Sequence, residues 1–144
     1  MIRIIDGDLF DTTAPVIAHQ VNCQKKMGSG VAKQVRERFP DVYEEYLKKD
    51  GKLGDVFVCH SMPLIANLYA QDKYGYDGAQ YTDLEALKKC FQKLNMAASR
   101  SNFHTIAMPY KIGCGRGGAD WNIVYKMIEE IFTDIDIELW RLEK

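Results

Sequence analysis

The sequence predicts an α/β fold, a three-layer α/β/α sandwich around a mixed, mostly parallel sheet. Three observations carry it. Short β-branched runs alternate along the chain with longer stretches that are apolar at every third or fourth residue, the pattern of strands separated by helices. Two glycine-dense turns, Gln24-Lys25-Lys26-Met27-Gly28-Ser29-Gly30-Val31-Ala32 and Ile112-Gly113-Cys114-Gly115-Arg116-Gly117-Gly118-Ala119-Asp120-Trp121, each follow a strand and feed a helix. Finally, 144 residues without repeat, linker or low-complexity tract suit one domain, residues 1–144, with one sizeable core.

The elements follow in order. Met1 to Ile5 alternates and is β-branched, a strand. Ala14 to Val21 is almost continuously apolar, as a strand buried on both faces is. Val31, Val35, Phe39 and Val42 recur at helical spacing, so a helix is expected from about Gly30 to Lys49, kinked or broken by Pro40. Asp55 to Cys59 and Leu64 to Ala70 read as strands with Pro63 in the turn between them. Tyr81 to Ala98 reads as a helix with Leu84, Leu87, Phe91 and Leu94 on one face, and Thr82 with Glu85 forms a capping box at its start. Thr105 to Met108 is a short strand. Trp121 to Phe132 is a helix with Ile123, Met127, Ile128 and Ile131 as its apolar positions, and Ile135 to Leu142 is a last strand.

Bulk chemistry narrows the function. The net charge is −1, which supplies no field for holding a duplex and argues against general nucleic-acid binding. Lys25-Lys26 is a local basic pair that a solvated loop accounts for equally well. The four cysteines, Cys23, Cys59, Cys90 and Cys114, form no C-x-x-C pair, which argues against a zinc ribbon or a thioredoxin-type motif. No metal or cofactor is called for. The apolar start at Met1 is too short for a signal peptide, and no run approaches a membrane span. A cytoplasmic protein with reduced thiols is expected, acting as a monomer without a membrane.

The glycine turns carry the chemistry. Glycine lets main-chain N–H groups face a ligand at close range, and a helix start adds unpaired donors and a positive dipole end. In α/β sheets ligands bind beyond the carboxyl ends of the strands, where both turns lie. Neither turn is a standard nucleotide signature. Gly28-x-Gly30 lacks the third glycine of the dinucleotide fingerprint, and no G-K-[ST] follows either turn. On residue type alone, a clamp around a ligand with more than one phosphate and a pair of structural turns both remain open.

The segment from Ala18 to Ala32 (Ala18-His19-Gln20-Val21-Asn22-Cys23, then the first turn), together with Pro109-Tyr110-Lys111-Ile112-Gly113-Cys114-Gly115 and Asp120-Trp121, resembles macrodomains. The likeness is strongest to the branch of ADP-ribose 1''-phosphate phosphatases and small terminal ADP-ribose glycohydrolases. Gly7-Asp8-Leu9 is similar to that family's early G-D-I/L signature, so the resemblance covers nearly the whole chain. It implies that Asp8 accepts from the adenine amino group and that Leu9 offers its N–H to the same ring. Gly28, Ser29, Gly30 and Val31 would lie beside the distal ribose and its phosphate. Ile112, Gly113, Cys114, Gly115 and Arg116 would wrap the diphosphate. Main-chain amides can hold a diphosphate without a basic field, which fits a net charge of −1.

The same resemblance sets the reacting end. Asn22 would meet the distal ribose, His19 is a candidate acid, base or substrate contact, and Asp120 matches a catalytic acid able to activate water. Each has a plainer reading from its residue type. Asp8 suits a turn or cap, Asn22 a strand end, His19 a hydrogen-bonded core position, and Asp120 the N-cap of the helix from Trp121. The chain departs from the lysine-nucleophile glycohydrolases after Asn67-Leu68-Tyr69-Ala70, where it continues Gln71-Asp72-Lys73. Glutamine forms no Schiff base with an opened ribose, so Gln71 is expected to position ribose or phosphate instead. Tyr74 and Tyr76 could cover the ligand or simply face solvent, and Cys114 gives loop room rather than a nucleophile.

Three classes of function follow. The preferred one is an enzyme that binds ADP-ribose derivatives and hydrolyses a terminal bond at the distal ribose, ADP-ribose 1''-phosphate first among substrates. The second is a module that binds ADP-ribose, free or protein-attached, without turnover; a de-ADP-ribosylating glycohydrolase is a variant of the first. The third is an RNA- or protein-interaction domain on the same scaffold.

Overall fold

In the computed structural model, residues 1–28, 30–74, 79–115 and 117–142 are described. The chain runs β1 (Ile2–Asp6), a 3-10 turn (Leu9–Asp11), β2 (Val16–Asn22), α1 (Gly30–Arg38), α2 (Pro40–Lys48), β3 (Val56–Cys59), β4 (Leu64–Gln71), α3 (Leu84–Arg100), β5 (Thr105–Pro109), α4 (Trp121–Ile131) and β6 (Asp136–Arg141). The six strands form one sheet in the order β1-β6-β5-β2-β4-β3, parallel throughout except for β3 against β4. This is the expected mixed, mostly parallel sheet.

Alternation along β2 builds two cores. Val16 and Ala18 face one side, where they pack with Leu87, Phe91 and Leu94 of α3 and Val124 and Ile128 of α4. Ile17 and Val21 face the other, with Met27, Val35 of α1, and Val42 and Tyr46 of α2. Helices on both faces explain why β2 and β4 are almost uniformly buried.

Two expectations are corrected and one is met. The stretch expected as a helix from Gly30 to Lys49, kinked or broken by Pro40, is broken there into two helices. Phe39 leaves helical geometry and Pro40 opens α2, where its missing N–H costs nothing. The capping box at Thr82 is not formed. Asp83 caps α3 by accepting from Ala86 N at 3.0 Å, and Thr82 is buried and bonded elsewhere. Of the apolar positions expected on α4, Ile128 is buried and Met127 and Ile131 pack partly buried against the core, but Ile123 is exposed and Val124 is buried in its place.

The sheet order places the site. From β2 the chain moves outward to β3 and β4 on one side; from β5 it moves to β6 on the other. The crevice between β2 and β5 is therefore the switch point at which α/β sheets hold ligands. The two strands pair only at Val16↔Ile106 and Ile17↔Ala107, so their carboxyl halves are free to part. No helix among the described residues is long and apolar enough to cross a membrane.

Phe91 is fully buried and meets Phe132 edge-on at 5.5 Å between centroids, tying α3 to the end of α4. Phe91→Ala is expected to destabilise the fold by about 3–5 kcal/mol, read from urea unfolding midpoints. A loss below about 1 kcal/mol would mean that this layer does not hold the sandwich together.

Candidate functional site

Both glycine turns open onto one cavity of ≈ 540 Å³ between β2 and β5, within the usual range for a small-molecule site. Loop one is the segment between β2 and α1; loop two is the segment between β5 and α4. Loop one contributes Lys26, Gly28 and, with the start of α1, Gly30, Val31 and Ala32. Loop two contributes Lys111, Ile112, Gly113, Gly115 and Gly117. The floor is His19, Gln20, Val21 and Asn22 of β2 with Gln71 of β4; Tyr74, Pro109 and Tyr110 complete the rim. Two lysines and no carboxylate stand among the described lining residues, so the cavity suits an anion. A Cβ added to Gly28, Gly30 or Gly115 would meet no heavy atom within 4 Å. At Gly28 and Gly115 the protein's own packing does not demand bare main chain, whereas Gly30 has a left-handed φ of +60° that itself favours glycine; all three line the cavity.

Loop one is held from below by Asn22. Its Oδ1 accepts from Gln24 N at 3.0 Å and Lys26 N at 3.3 Å, and its Nδ2 donates to Lys26 O at 2.9 Å. The Tyr46 hydroxyl of α2 lies 2.6 Å from Asn22 O and 3.0 Å from Oδ1 and shares its single proton between them. Burial pushes the Tyr46 phenol up from its ordinary pKa, so it stays a donor. Asn22 thus fills its strand-end role and still lines the cavity, with one Nδ2 proton not used in the bond to Lys26.

His19 is the deeply buried part of that floor. Its Nε2 is 2.6 Å from Asn67 Oδ1, which can only accept, so Nε2 carries the proton and Nδ1 is a bare acceptor without a partner among the described residues. Burial lowers its pKa from 6.5 to about 4, partly offset by the Asn67 bond. At neutral pH it is an uncharged contact.

The remaining expected residues divide. Gln71 lines the cavity with both ends of its amide engaged: Oε1 accepts from Gln20 Nε2 at 2.8 Å and Nε2 donates to Lys73 O at 2.7 Å. Asp8 and Leu9 stand outside the lining. Asp8 Oδ1 caps the 3-10 turn through Phe10 N at 3.0 Å, its Oδ2 faces Arg38 at 3.5 Å, and Leu9 is buried in the second core. Asp120 is exposed and caps α4 through Asn122 N at 2.8 Å, also outside the lining. Cys114 is half-buried, and burial followed by the charge of Asp120 pushes its thiol up to about 11, so it is unreactive near neutral pH. Ser29, Arg116 and Tyr76 lie outside the described residues.

Sequence reasoning passed over Gln20, Tyr46, Thr82 and Lys111. Gln20 left a signal, a polar side chain next to His19 in an otherwise apolar strand. Tyr46 and Thr82 left none, because each acts on a loop far away in sequence.

The comparisons with known proteins point to one family. A family model described as "Macro domain" matches residues 18–128. The chain is 32% identical over 149 residues to a human protein named "ADP-ribose glycohydrolase OARD1", covering 98% of this chain and 91% of that one. It is 29% identical over 153 residues to a Thermus aquaticus protein named "DNA ADP-ribosyl glycohydrolase", covering 99% of this chain but only 41% of the relative's length. Among solved structures, the "Macrodomain of Thermus aquaticus DarG" superposes with a TM-score of 0.83 at 25% identity, covering 100% of this chain and 99% of that one. The fold is also shared with "Thermosipho africanus DarTG in complex with ADP-ribose", TM-score 0.82 at 19% identity, over 97% of this chain and 41% of that one.

Two outcomes are expected. A histidine whose folded pKa lies below its unfolded value stabilises fully above 6.5, and that contribution is lost as pH falls toward 4. The unfolding free energy from urea titrations should therefore drop by about 2 kcal/mol more between pH 7 and pH 5 in the parent than in His19→Gln; parallel curves would remove the buried neutral ring. Tyr46→Phe should cost about 1–2 kcal/mol and speed amide exchange in loop one ahead of the rest of the chain, as hydrogen-exchange mass spectrometry would register. Uniform exchange would show that the hydroxyl does not hold the loop.

Proposed function

The chain belongs to the macro domain family, and on that premise we propose that its cavity binds ADP-ribose and that the chain hydrolyses a terminal bond at the distal ribose. One observation carries the reading. Both glycine loops wall a single cavity that has open room over Gly28, Gly30 and Gly115, two lysines and no carboxylate among its described lining residues. A diphosphate flanked by two riboses suits such a site, because main-chain amides and a helix start bind it without a large net charge. The names of the relatives, glycohydrolases of ADP-ribosyl groups, support the choice of ligand and of bond.

The residues take these roles. Loop two, with Ile112, Gly113, Cys114, Gly115 and Arg116, wraps the diphosphate. Loop one, with Gly28, Ser29, Gly30 and Val31, takes the distal ribose and its phosphate. Asn22 turns its remaining amide proton to a ribose hydroxyl. Asp8 keeps acceptor capacity beyond its bond to Phe10 N for the adenine amino group, with Leu9 beside it. Asp120 orients and deprotonates water, and His19 serves as a neutral contact rather than a proton shuttle. The helix cap occupies one carboxylate oxygen of Asp120 and leaves the other for water.

Gln71 favours the finer version. With its amide engaged at both ends and no amine to offer, it supports water attack over a lysine adduct. The reaction is then ADP-ribose 1''-phosphate plus water, with the anomeric phosphate ester cleaved to ADP-ribose and phosphate. The relatives' names favour a second version, release of ADP-ribose from an acceptor molecule.

Titration calorimetry should give saturable ADP-ribose binding. Gly115→Ala should melt within about 0.5 kcal/mol of the parent yet bind at least about tenfold more weakly, because its methyl enters the ligand's space. Equal affinity would sink the cavity as the binding site. Asp120→Asn keeps a cap acceptor and should lower phosphate release by about 100-fold with binding retained. An unchanged rate would remove Asp120 from catalysis, and no product from either substrate would leave a binding module.

A further inference from the structure

Thr82 stands just ahead of α3, outside both glycine loops, and is buried. Its hydroxyl donates to Gly113 O at 2.7 Å and accepts from Gln20 Nε2 at 2.8 Å. The same Nε2 gives its other proton to Gln71 Oε1 at 2.8 Å, and Gln71 Nε2 donates to Lys73 O at 2.7 Å. A carbonyl oxygen ends this relay on each side, and a carbonyl can only accept. The direction of the Thr82 proton and the orientation of both amides are thereby fixed. Gly113 O also accepts from Ala119 N at 3.1 Å, which fills both its lone pairs.

Two main-chain hydrogen bonds press the same segment onto loop two. Tyr81 N and Thr82 N both donate to Gly117 O, at 2.7 and 2.9 Å. A Cβ on Gly117 would overlap Thr82 Oγ1, and one on Gly118 would come within 2.9 Å of Ala79 O. Gly113 has a left-handed φ of +77°, and a Cβ there would lie 2.9 Å from Gln20 Oε1. The glycines on this side of loop two are demanded by the protein's own packing, whereas Gly115 faces open room.

We propose that Thr82 is a positioning residue for the anion site: its buried hydroxyl, oriented by Gln20, holds the Gly113 carbonyl down and keeps the main chain of Gly113, Gly115 and Gly117 at the cavity wall, where it meets the diphosphate. The proposal rests on the ADP-ribose reading of that cavity. Through the relay, loop two and the end of β4 at Gln71 move as one unit, so the diphosphate wall and the wall near Gln71 keep a fixed spacing. Without the hydroxyl, Gln20 loses an acceptor and Gly113 O loses a donor, and loop two loses its side-chain link to β2 while the main-chain bonds from Tyr81 and Thr82 to Gly117 remain.

The test compares Thr82→Val, which keeps the shape and removes the hydroxyl, with Thr82→Ser, which keeps the hydroxyl, in the full chain. Amide NMR spectra of the ligand-free proteins come first. Thr82→Val should shift and broaden the Gly113, Gly115 and Gly117 signals while the strand signals stay put, and Thr82→Ser should restore them. Calorimetry then uses two probes, ADP-ribose and adenosine, which lacks the diphosphate. Thr82→Val should weaken ADP-ribose by about tenfold and adenosine by less than about twofold, with Thr82→Ser near the parent. Unmoved loop signals, equal loss for both probes, or a serine variant as impaired as valine would each overturn the proposal. A parent protein that binds no ADP-ribose would instead overturn the functional reading, and the ligand-free spectra would still decide whether Thr82 sets the loop.

Discussion

The parting of β2 and β5 is the constraint on which the rest depends. Their pairing stops at Ile17↔Ala107, yet β2 continues to Asn22 and β5 to Pro109. Parallel strands connected outward in opposite directions leave a crevice between their carboxyl ends. The two loops that leave those ends must face each other across it. Both cores support this opening from below: Ile17 and Val21 anchor β2 against α1 and α2, while Val16 and Ala18 anchor it against α3 and α4.

Loops rich in glycine are floppy unless something outside them sets their course. Here each is pinned by a buried hydroxyl borrowed from another element, Tyr46 of α2 under loop one and Thr82 before α3 under loop two. In each case the hydroxyl is paired with an amide on β2: Tyr46 reaches loop one through Asn22, and Thr82, oriented by Gln20, bonds loop two directly. A site assembled this way presents main-chain donors in fixed positions and needs little net charge. The only cations among the described lining residues are Lys26 and Lys111, one from each loop.

Most of the fold was legible in the sequence, because strands and helices are written in local periodicity. The residues that mark the two loops were legible too, as glycine clusters at strand-to-helix junctions, but structural turns explained them equally well until the fold set both on one cavity. Errors arose where two local rules competed. Thr82 fits a capping box by spacing, but Asp83 is the better acceptor one residue later, and the threonine is drawn down to Gly113. Ile123 fits a helical stripe, but α4 meets the sheet through Val124. At Asp8 and Asp120 the cap role is formed, and the carboxylate left over at each is what a functional role would use.

By itself the chain determined its alternation of elements, the glycine loops and the polar intrusion of His19 and Gln20 into an apolar strand, since all of these depend on neighbours within a few residues. Tertiary structure alone decided that the loops share one cavity, that His19 is held neutral against Asn67, and that Gln20, Gln71 and Thr82 join in one relay. Those partners are separated by 31 to 62 residues along the chain. Only the order of strands in the sheet brings such distant groups within hydrogen-bonding range, and no local pattern encodes that order.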